Sequence, residues 1–192
     1  MAKLIILDFD GVLVKSGKME KCWRKFSEEL TLKKTPRFLL EFCDIFDFLA
    51  KPAPELKPEA KRFIRERDSK SELLALITDR SLFFISSFFS KSKEISPTDF
   101  EFIQVRESFL NQFSPWIKFI GEPKTKPQIF VSAQTKPAPE VLKNKELKRF
   151  LDERNIKQEE VLIIDDLFEM RKAAREMGFP ALAPKLFFQT EP

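Results

Sequence analysis

The chain contains no histidine and no tyrosine. Without His, Ser-His and Cys-His nucleophile systems are excluded, and so are His-ligated zinc sites. Two cysteines, Cys22 and Cys43, are too few for a four-Cys zinc or iron–sulfur site or for a disulfide framework. Their scarcity fits a reducing cytoplasm. Glycine is also rare, at 4 residues beside 13 prolines, while 43% of the chain is hydrophobic, which excludes collagen-like and disordered classes. No apolar run approaches the ~20 residues that cross a bilayer. The longest, Leu82 to Phe89, is broken by Ser86 and Ser87. Met1-Ala2-Lys3 runs straight into an apolar strand with an acidic end, so no signal peptide and no membrane association are expected. Catalysis must therefore rest on carboxylates, Lys, Arg, Ser, Thr or a hard metal ion.

What is present suits one compact domain with a small appendage. The chain has 192 residues, 22 of them Phe, with 34 basic against 30 acidic side chains for a net +4. Near-continuous apolar runs at Lys3–Phe9, Leu73–Thr78, Ile129–Ser132 and Val161–Ile164 predict buried strands. Phe100–Val105 and Trp116–Ile120 are weaker strand candidates. Helical periodicity predicts helices over Met19–Leu30, Arg37–Ala50, Pro58–Arg67, Arg80–Phe89, Glu107–Phe113, Pro139–Arg154 and Leu167–Met177, the last ended by Gly178. Alternating strands and helices predict an α/β fold with a central parallel sheet covered on both faces.

Four strand or helix ends carry groups suited to one site. Asp8-Phe9-Asp10-Gly11 closes the first strand, and residues two apart on a strand share a side. Asp8 and Asp10 can therefore converge at the carboxyl edge of the sheet, where open α/β folds bind ligands. Two carboxylates at that distance call for a cation or a shared proton, and Mg²⁺ favours such oxygens. An acidic strand end before Gly is otherwise an ordinary turn. Thr78 ends the second strand and can serve an anion or a helix N-cap. Lys136 precedes a helix and can neutralise an anion or lie on the surface. Asp165 and Asp166 follow the last strand; adjacent acids there need a cation, donors or a helix N-terminus.

These strings resemble those of the haloacid dehalogenase (HAD) superfamily of aspartate-based phosphatases and phosphotransferases. DFDGVLV (Asp8–Val14) is similar to the first motif, LITDR (Leu76–Arg80) to the second, KPAPEVL (Lys136–Leu142) to the third, and VLIIDDLFEMRKAAREMGFPAL (Val161–Leu182) to the fourth with its following helix. The resemblance implies a three-layer Rossmann-like HAD fold with a small helical cap. It implies Asp8 as nucleophile, and Asp10 as the acid that protonates the leaving oxygen and then activates water. Thr78 and Lys136 would hold the phosphoryl oxygens. Asp8, the Asp10 carbonyl and one or both of Asp165 and Asp166 would hold Mg²⁺. The acid at Asp10 favours phosphoryl transfer over carbon–halogen cleavage. The implied activity is Mg²⁺-dependent hydrolysis of phosphomonoesters.

Several residues depart from the pattern. Leu167 stands where Ser is frequent and Met170 where Asp or Asn is frequent, which removes support for the metal. Asp79 adds a negative charge beside Thr78, and Lys51-Pro-Ala-Pro-Glu55 echoes the Lys136 string. The departures at Leu167, Met170 and Asp79 keep a second function open: a non-catalytic member of the fold that binds a phosphorylated ligand, protein or nucleic acid. The expected organisation is a core of residues 1–15 and 51–192, a cap insertion at 16–50, and a further insertion at 90–128. A cap this small leaves room for large substrates, although a small phosphorylated molecule is the first expectation. Basic clusters around Lys15–Lys25 and Lys143–Arg149 are diluted by acids, so a solvated helix face outweighs nucleic-acid binding.

Overall fold

The computed structural model describes residues 2–15, 37–49, 54–67, 72–120, 122, 126–133 and 142–190. Six parallel strands form one sheet: β1 (Leu4–Leu7), β2 (Leu73–Ser81), β3 (Phe102–Arg106), β4 (Gln128–Ser132), β5 (Val161–Ile164) and β6 (Ala181–Leu182). Their spatial order is β4-β3-β2-β1-β5-β6. The chain steps outward from β1 to β4, then returns to lay β5 on the free side of β1. The strand order therefore reverses at β1, the position where doubly wound sheets open a crevice at the strands' carboxyl ends. Register places Leu7 beside both Leu76 and Ile164, so the strand ends that follow them lie side by side.

Alternation along β1 supplies the sheet's two faces. Ile5 and Leu7 belong to a core with α2 (Pro58–Glu66), α3 (Leu82–Lys91) and α6 (Pro184–Thr190), whereas Leu4 and Ile6 pack with α4 (Lys145–Glu153) and α5 (Phe168–Glu176). The abundant Phe residues fill both layers. Phe9 is fully buried and meets Phe88 edge-on at 4.8 Å and Phe84 at 5.9 Å. On the opposite face Phe102 meets Phe150 at 4.9 Å. A ring without a hydroxyl needs no hydrogen-bond partner when it is buried. The structure is thus the three-layer α/β architecture expected, with a parallel sheet between helices.

Several boundaries shift for local reasons. The helix expected from Arg80 begins at Leu82, because Ser81 caps it by accepting the Phe84 N–H at 3.3 Å, and Arg80 stays in β2. The helix expected from Pro139 has α4 beginning at Lys145, with Asn144 accepting the Glu146 N–H at 2.9 Å; residues 139–141 lie outside the described residues. Trp116–Ile120 is not a strand. It contains a 3₁₀ turn at Ile117–Phe119, and Trp116 stacks on Phe89 at 5.8 Å instead of pairing in the sheet. Glu107–Phe113 is likewise a 3₁₀ turn, Phe109–Phe113, started by the Ser108 hydroxyl. β6 and α6 were not expected: two strand residues carry no readable period.

The helix expected over Met19–Leu30 lies outside the described residues. The adjoining helix α1 (Arg37–Leu49) is present. Leu13–Lys15 and Glu55–Lys57 run together, with Lys15 N–H donating to the Glu55 carbonyl at 3.1 Å and Lys57 N–H to the Leu13 carbonyl at 2.8 Å. These two segments therefore lie side by side. β3, within residues 90–128, is an integral strand between β2 and β4. Among the described residues, no helix is long and apolar enough to cross a membrane.

Candidate active site

Pairing of β1 with β5 brings the first and last acidic strings together. One carboxylate oxygen from each of Asp8, Asp165 and Asp166 lies within 4.8 Å of the others. Asp8 and Asp165 are buried and Asp166 is half-buried. At that separation each pair of ionised carboxylates repels by on the order of 3 kcal/mol at an effective dielectric of 20. Local donors offset part of this: Phe9 N–H donates to Asp8 Oδ1 at 2.6 Å, and Leu167 N–H donates to Asp165 Oδ1 at 2.9 Å. Hard oxygen donors converging on one point suit Mg²⁺ in both charge and ligand type.

The loop after β1 is shaped to admit Asp166. Gly11 has φ +76°, and a Cβ placed on it would lie 2.3 Å from Asp166 Oδ2 and 2.6 Å from its Cγ. Only glycine accepts both that backbone conformation and that approach. Across the site, Arg171 Nη1 donates to the carbonyls of Asp165 and Asp166, each at 2.7 Å, and so fixes the turn between β5 and α5. Arg171 supplies support that Leu167 and Met170 do not. Met170 is buried in the core and Leu167 contributes its backbone N–H.

Asp10 also lies at this edge, but its carboxylate faces a different partner. Arg80 Nε donates to Asp10 Oδ2 at 2.7 Å, and Arg80 Nη2 to Asp10 Oδ1 at 2.9 Å. Arg80 also meets Asp44 and Asp47 of α1, and Arg106, at the end of β3, meets Glu41 and Asp44. Burial pushes the Asp44 carboxyl above its usual range, although Arg80, Arg106 and Ser81 oppose the shift. Sequence reasoning missed this network. Its signal was three acids spaced three apart on an otherwise apolar helix, facing arginines at two strand ends.

Thr78 is buried near the end of β2, and its Oγ1 accepts the Arg80 N–H at 3.1 Å. Asp79 is half-buried, and its carbonyl accepts from Arg106 Nε at 2.7 Å. Lys136 and Lys51 lie outside the described residues. A lysine that the sequence reading overlooked, Lys57, does reach the first motif and donates from Nζ to the Gly11 carbonyl. A small cleft between β1 and β5 is lined by Asp8, Asp165, Leu142 and Met170. A larger groove, about 650 Å³, lies beside α4 and contains none of these acids. Its size carries no chemistry comparable with the carboxylates at the strand ends.

No protein-family model and no curated protein matches the sequence. Similarity to solved structures is extensive but distant. CbbY from Rhodobacter sphaeroides, in complex with phosphate, aligns with a TM-score of 0.59 at 15% identity, covering 95% of this chain and 86% of that one. A haloacid dehalogenase-like hydrolase from Bacteroides fragilis aligns with a TM-score of 0.56 at 17% identity, covering 94% and 86%. A HAD-family enzyme from Bacteroides thetaiotaomicron, in complex with magnesium and inorganic phosphate, aligns with a TM-score of 0.52 at 16% identity, covering 95% and 94%. With its sheet order and these neighbours, the chain has the fold of the haloacid dehalogenase superfamily.

Proposed function

We propose that this protein is a Mg²⁺-dependent phosphatase that cleaves phosphomonoesters through an aspartyl-phosphate on Asp8. The observation that carries the reading is the convergence of Asp8, Asp165 and Asp166 within 4.8 Å at the sheet's switch point, with Asp10 two residues beyond Asp8. Support also comes from the neighbours, two of which are described with phosphate and one of those also with magnesium.

Asp8 attacks phosphorus, a new P–O bond forms to its carboxylate, and the ester P–O bond breaks. Asp10 gives a proton to the departing oxygen. It then takes a proton from water, which attacks the phosphoryl group, releases inorganic phosphate and restores Asp8. Thr78 and Lys136 are the proposed holders of the phosphoryl oxygens. Asp8, Asp165, Asp166 and the Asp10 carbonyl are the proposed Mg²⁺ ligands. The ion would offset the charge of an anionic nucleophile meeting an anionic phosphate. We further assign α1 to a cap formed by residues 16–50.

The apolar side chains of Leu167 and of Met170, which is buried in the core, favour a second reading, a non-catalytic protein that binds a phosphorylated ligand. Hydrolysis of p-nitrophenyl phosphate with Mg²⁺, compared with the Asp8→Asn variant, separates the two. Turnover that disappears in Asp8→Asn is expected; turnover that survives there overturns the nucleophile assignment. No hydrolysis across a broad phosphomonoester panel, with saturable binding of one member, selects the second reading.

A further inference from the structure

Arg80 stands where the phosphatase reading assigns no role, yet its guanidinium is among the most heavily engaged groups near the site. Its side chain is only 6% exposed. Nε and Nη2 each donate to a different oxygen of Asp10, at 2.7 and 2.9 Å. Nη1 faces α1, 2.8 Å from Asp47 Oδ2 and 3.2 Å from Asp44 Oδ1. The Phe84 ring packs under the guanidinium, with its centroid 4.6 Å from Cζ. The Arg80 backbone N–H is tied to Thr78 Oγ1. One residue thus contacts the proposed general acid, the proposed phosphate-binding threonine and a helix outside the sheet.

The geometry of a fork on a carboxylate decides what this does. Asp10 sits beside Gly11 in the loop after β1, where its backbone bridges to Val14. Two parallel N–H···O bonds to one planar guanidinium fix both the direction of the carboxylate and its rotation about Cβ–Cγ. A lysine at position 80 would supply one point contact and leave that rotation open. Proton transfer to a leaving oxygen requires hydrogen-bond reach, and displacement of a reacting group by about 1 Å can cost about 100-fold.

We propose that Arg80 is a positioning residue for Asp10, and that through Asp44 and Asp47 it makes the aim of Asp10 depend on where α1 sits. The proposal rests on the reading of Asp10 as the group that acts on the leaving oxygen. It differs from a direct role on phosphate, because a phosphate-binding arginine would act on substrate affinity, whereas a positioning arginine acts on turnover and only through Asp10.

The test is a double-mutant cycle on the full chain, with Mg²⁺ and two probes: p-nitrophenyl phosphate and the alkyl ester glycerol 2-phosphate. Arg80→Gln is expected to lower kcat about 10- to 100-fold with KM within about threefold, and to affect the alkyl ester more, since its leaving oxygen needs the proton more. Arg80→Lys is expected to recover part of the loss. In the Asp10→Asn background, Arg80→Gln is expected to cost nothing further. Losses that multiply, or a change confined to KM and to inhibition by inorganic phosphate, would overturn the proposal. Arg80→Gln strands buried acids, so Asp47→Asn provides a milder variant that leaves the Arg80–Asp10 fork in place. Its kcat is expected to fall about 2- to 5-fold, again with no effect in Asp10→Asn; an equal effect in both backgrounds overturns the coupling to α1. If the wild-type chain hydrolyses neither probe, the cycle is run on the best substrate of a broad phosphomonoester panel, and if no member is hydrolysed the phosphatase reading itself fails. If hydrolysis runs through Asp8 and the cycle is additive, only the role of Arg80 fails.

Discussion

Gly11→Ala strikes the closest approach in the site. The methyl group meets two separate penalties. First, φ +76° lies in the left-handed region, which costs a non-glycine residue about 1–2 kcal/mol. For a chain of this length that corresponds to a drop of roughly 2–8 °C in melting temperature. Second, the new Cβ would lie 2.3, 2.6 and 3.1 Å from Oδ2, Cγ and Cβ of Asp166. Rotation about Cβ–Cγ cannot relieve the overlap with Asp166 Cγ, so rotation about Cα–Cβ is the escape, and that rotation carries the carboxylate out of the cluster it forms with Asp8 and Asp165. Losing one of the three proposed acidic ligands is expected to weaken Mg²⁺ binding about 10- to 100-fold. Thermal melts read the first penalty and calorimetric Mg²⁺ titration the second. The Gly11→Ala/Asp166→Ala double variant removes the overlap with Cγ and Oδ2 and keeps the backbone strain and the 3.1 Å contact with Cβ, so it should melt no lower than the single variant while binding Mg²⁺ no better. An unchanged melting temperature would refute the backbone argument. A lowered one with wild-type Mg²⁺ affinity would remove Asp166 from the metal site.

The other predictions concern the ion, the core and pH. Saturation with Mg²⁺ at about 100 times its dissociation constant should stabilise the protein by about 2.7 kcal/mol relative to EDTA, and Asp165→Asn should abolish the gain; no gain in the wild type means the carboxylates are not a metal site. Phe9→Ala removes a fully buried ring from between Phe84 and Phe88 and should cost about 3–5 kcal/mol in denaturant unfolding; a loss below about 1 kcal/mol would contradict the packing. Asp44 has its carboxyl raised from 3.8, chiefly by burial, in a cluster where Arg80 and Arg106 face Asp10, Asp44, Asp47 and Glu41. The native state then holds the Asp44 proton more tightly than the unfolded chain. The resulting stability is complete below the unfolded value and is lost as pH rises through the native one. Asp44→Asn has no proton to lose, so its stability should improve relative to wild type as pH rises from about 4 toward neutrality; a gap that stays constant or widens in denaturant melts refutes this.

Much of the core was legible because buried parallel strands write their burial directly into sequence. β1, β2, β4 and β5 read as short apolar runs, and each of β1 and β5 is followed directly by acid. A strand buried on both faces has no polar side to show, so composition alone reveals it. The irregular stretch between β3 and β4 was less readable. Its 3₁₀ turns are set by serine hydroxyls and by Trp116 packing on Phe89, and those contacts have no period.

The candidate site divides along the same line. Sequence by itself was enough to nominate Asp8, Asp10, Thr78, Asp165 and Asp166, because their spacing from strand ends is local. That Asp8 joins Asp165 and Asp166 follows from β5 pairing with β1, a choice made by the reversal of strand order. Tertiary structure alone decided that Asp10 faces Arg80 and that Arg80 faces α1. The separations involved are 70 and 33 residues, and a buried charge chooses its partner by the proximity that packing creates, a distance no local pattern encodes.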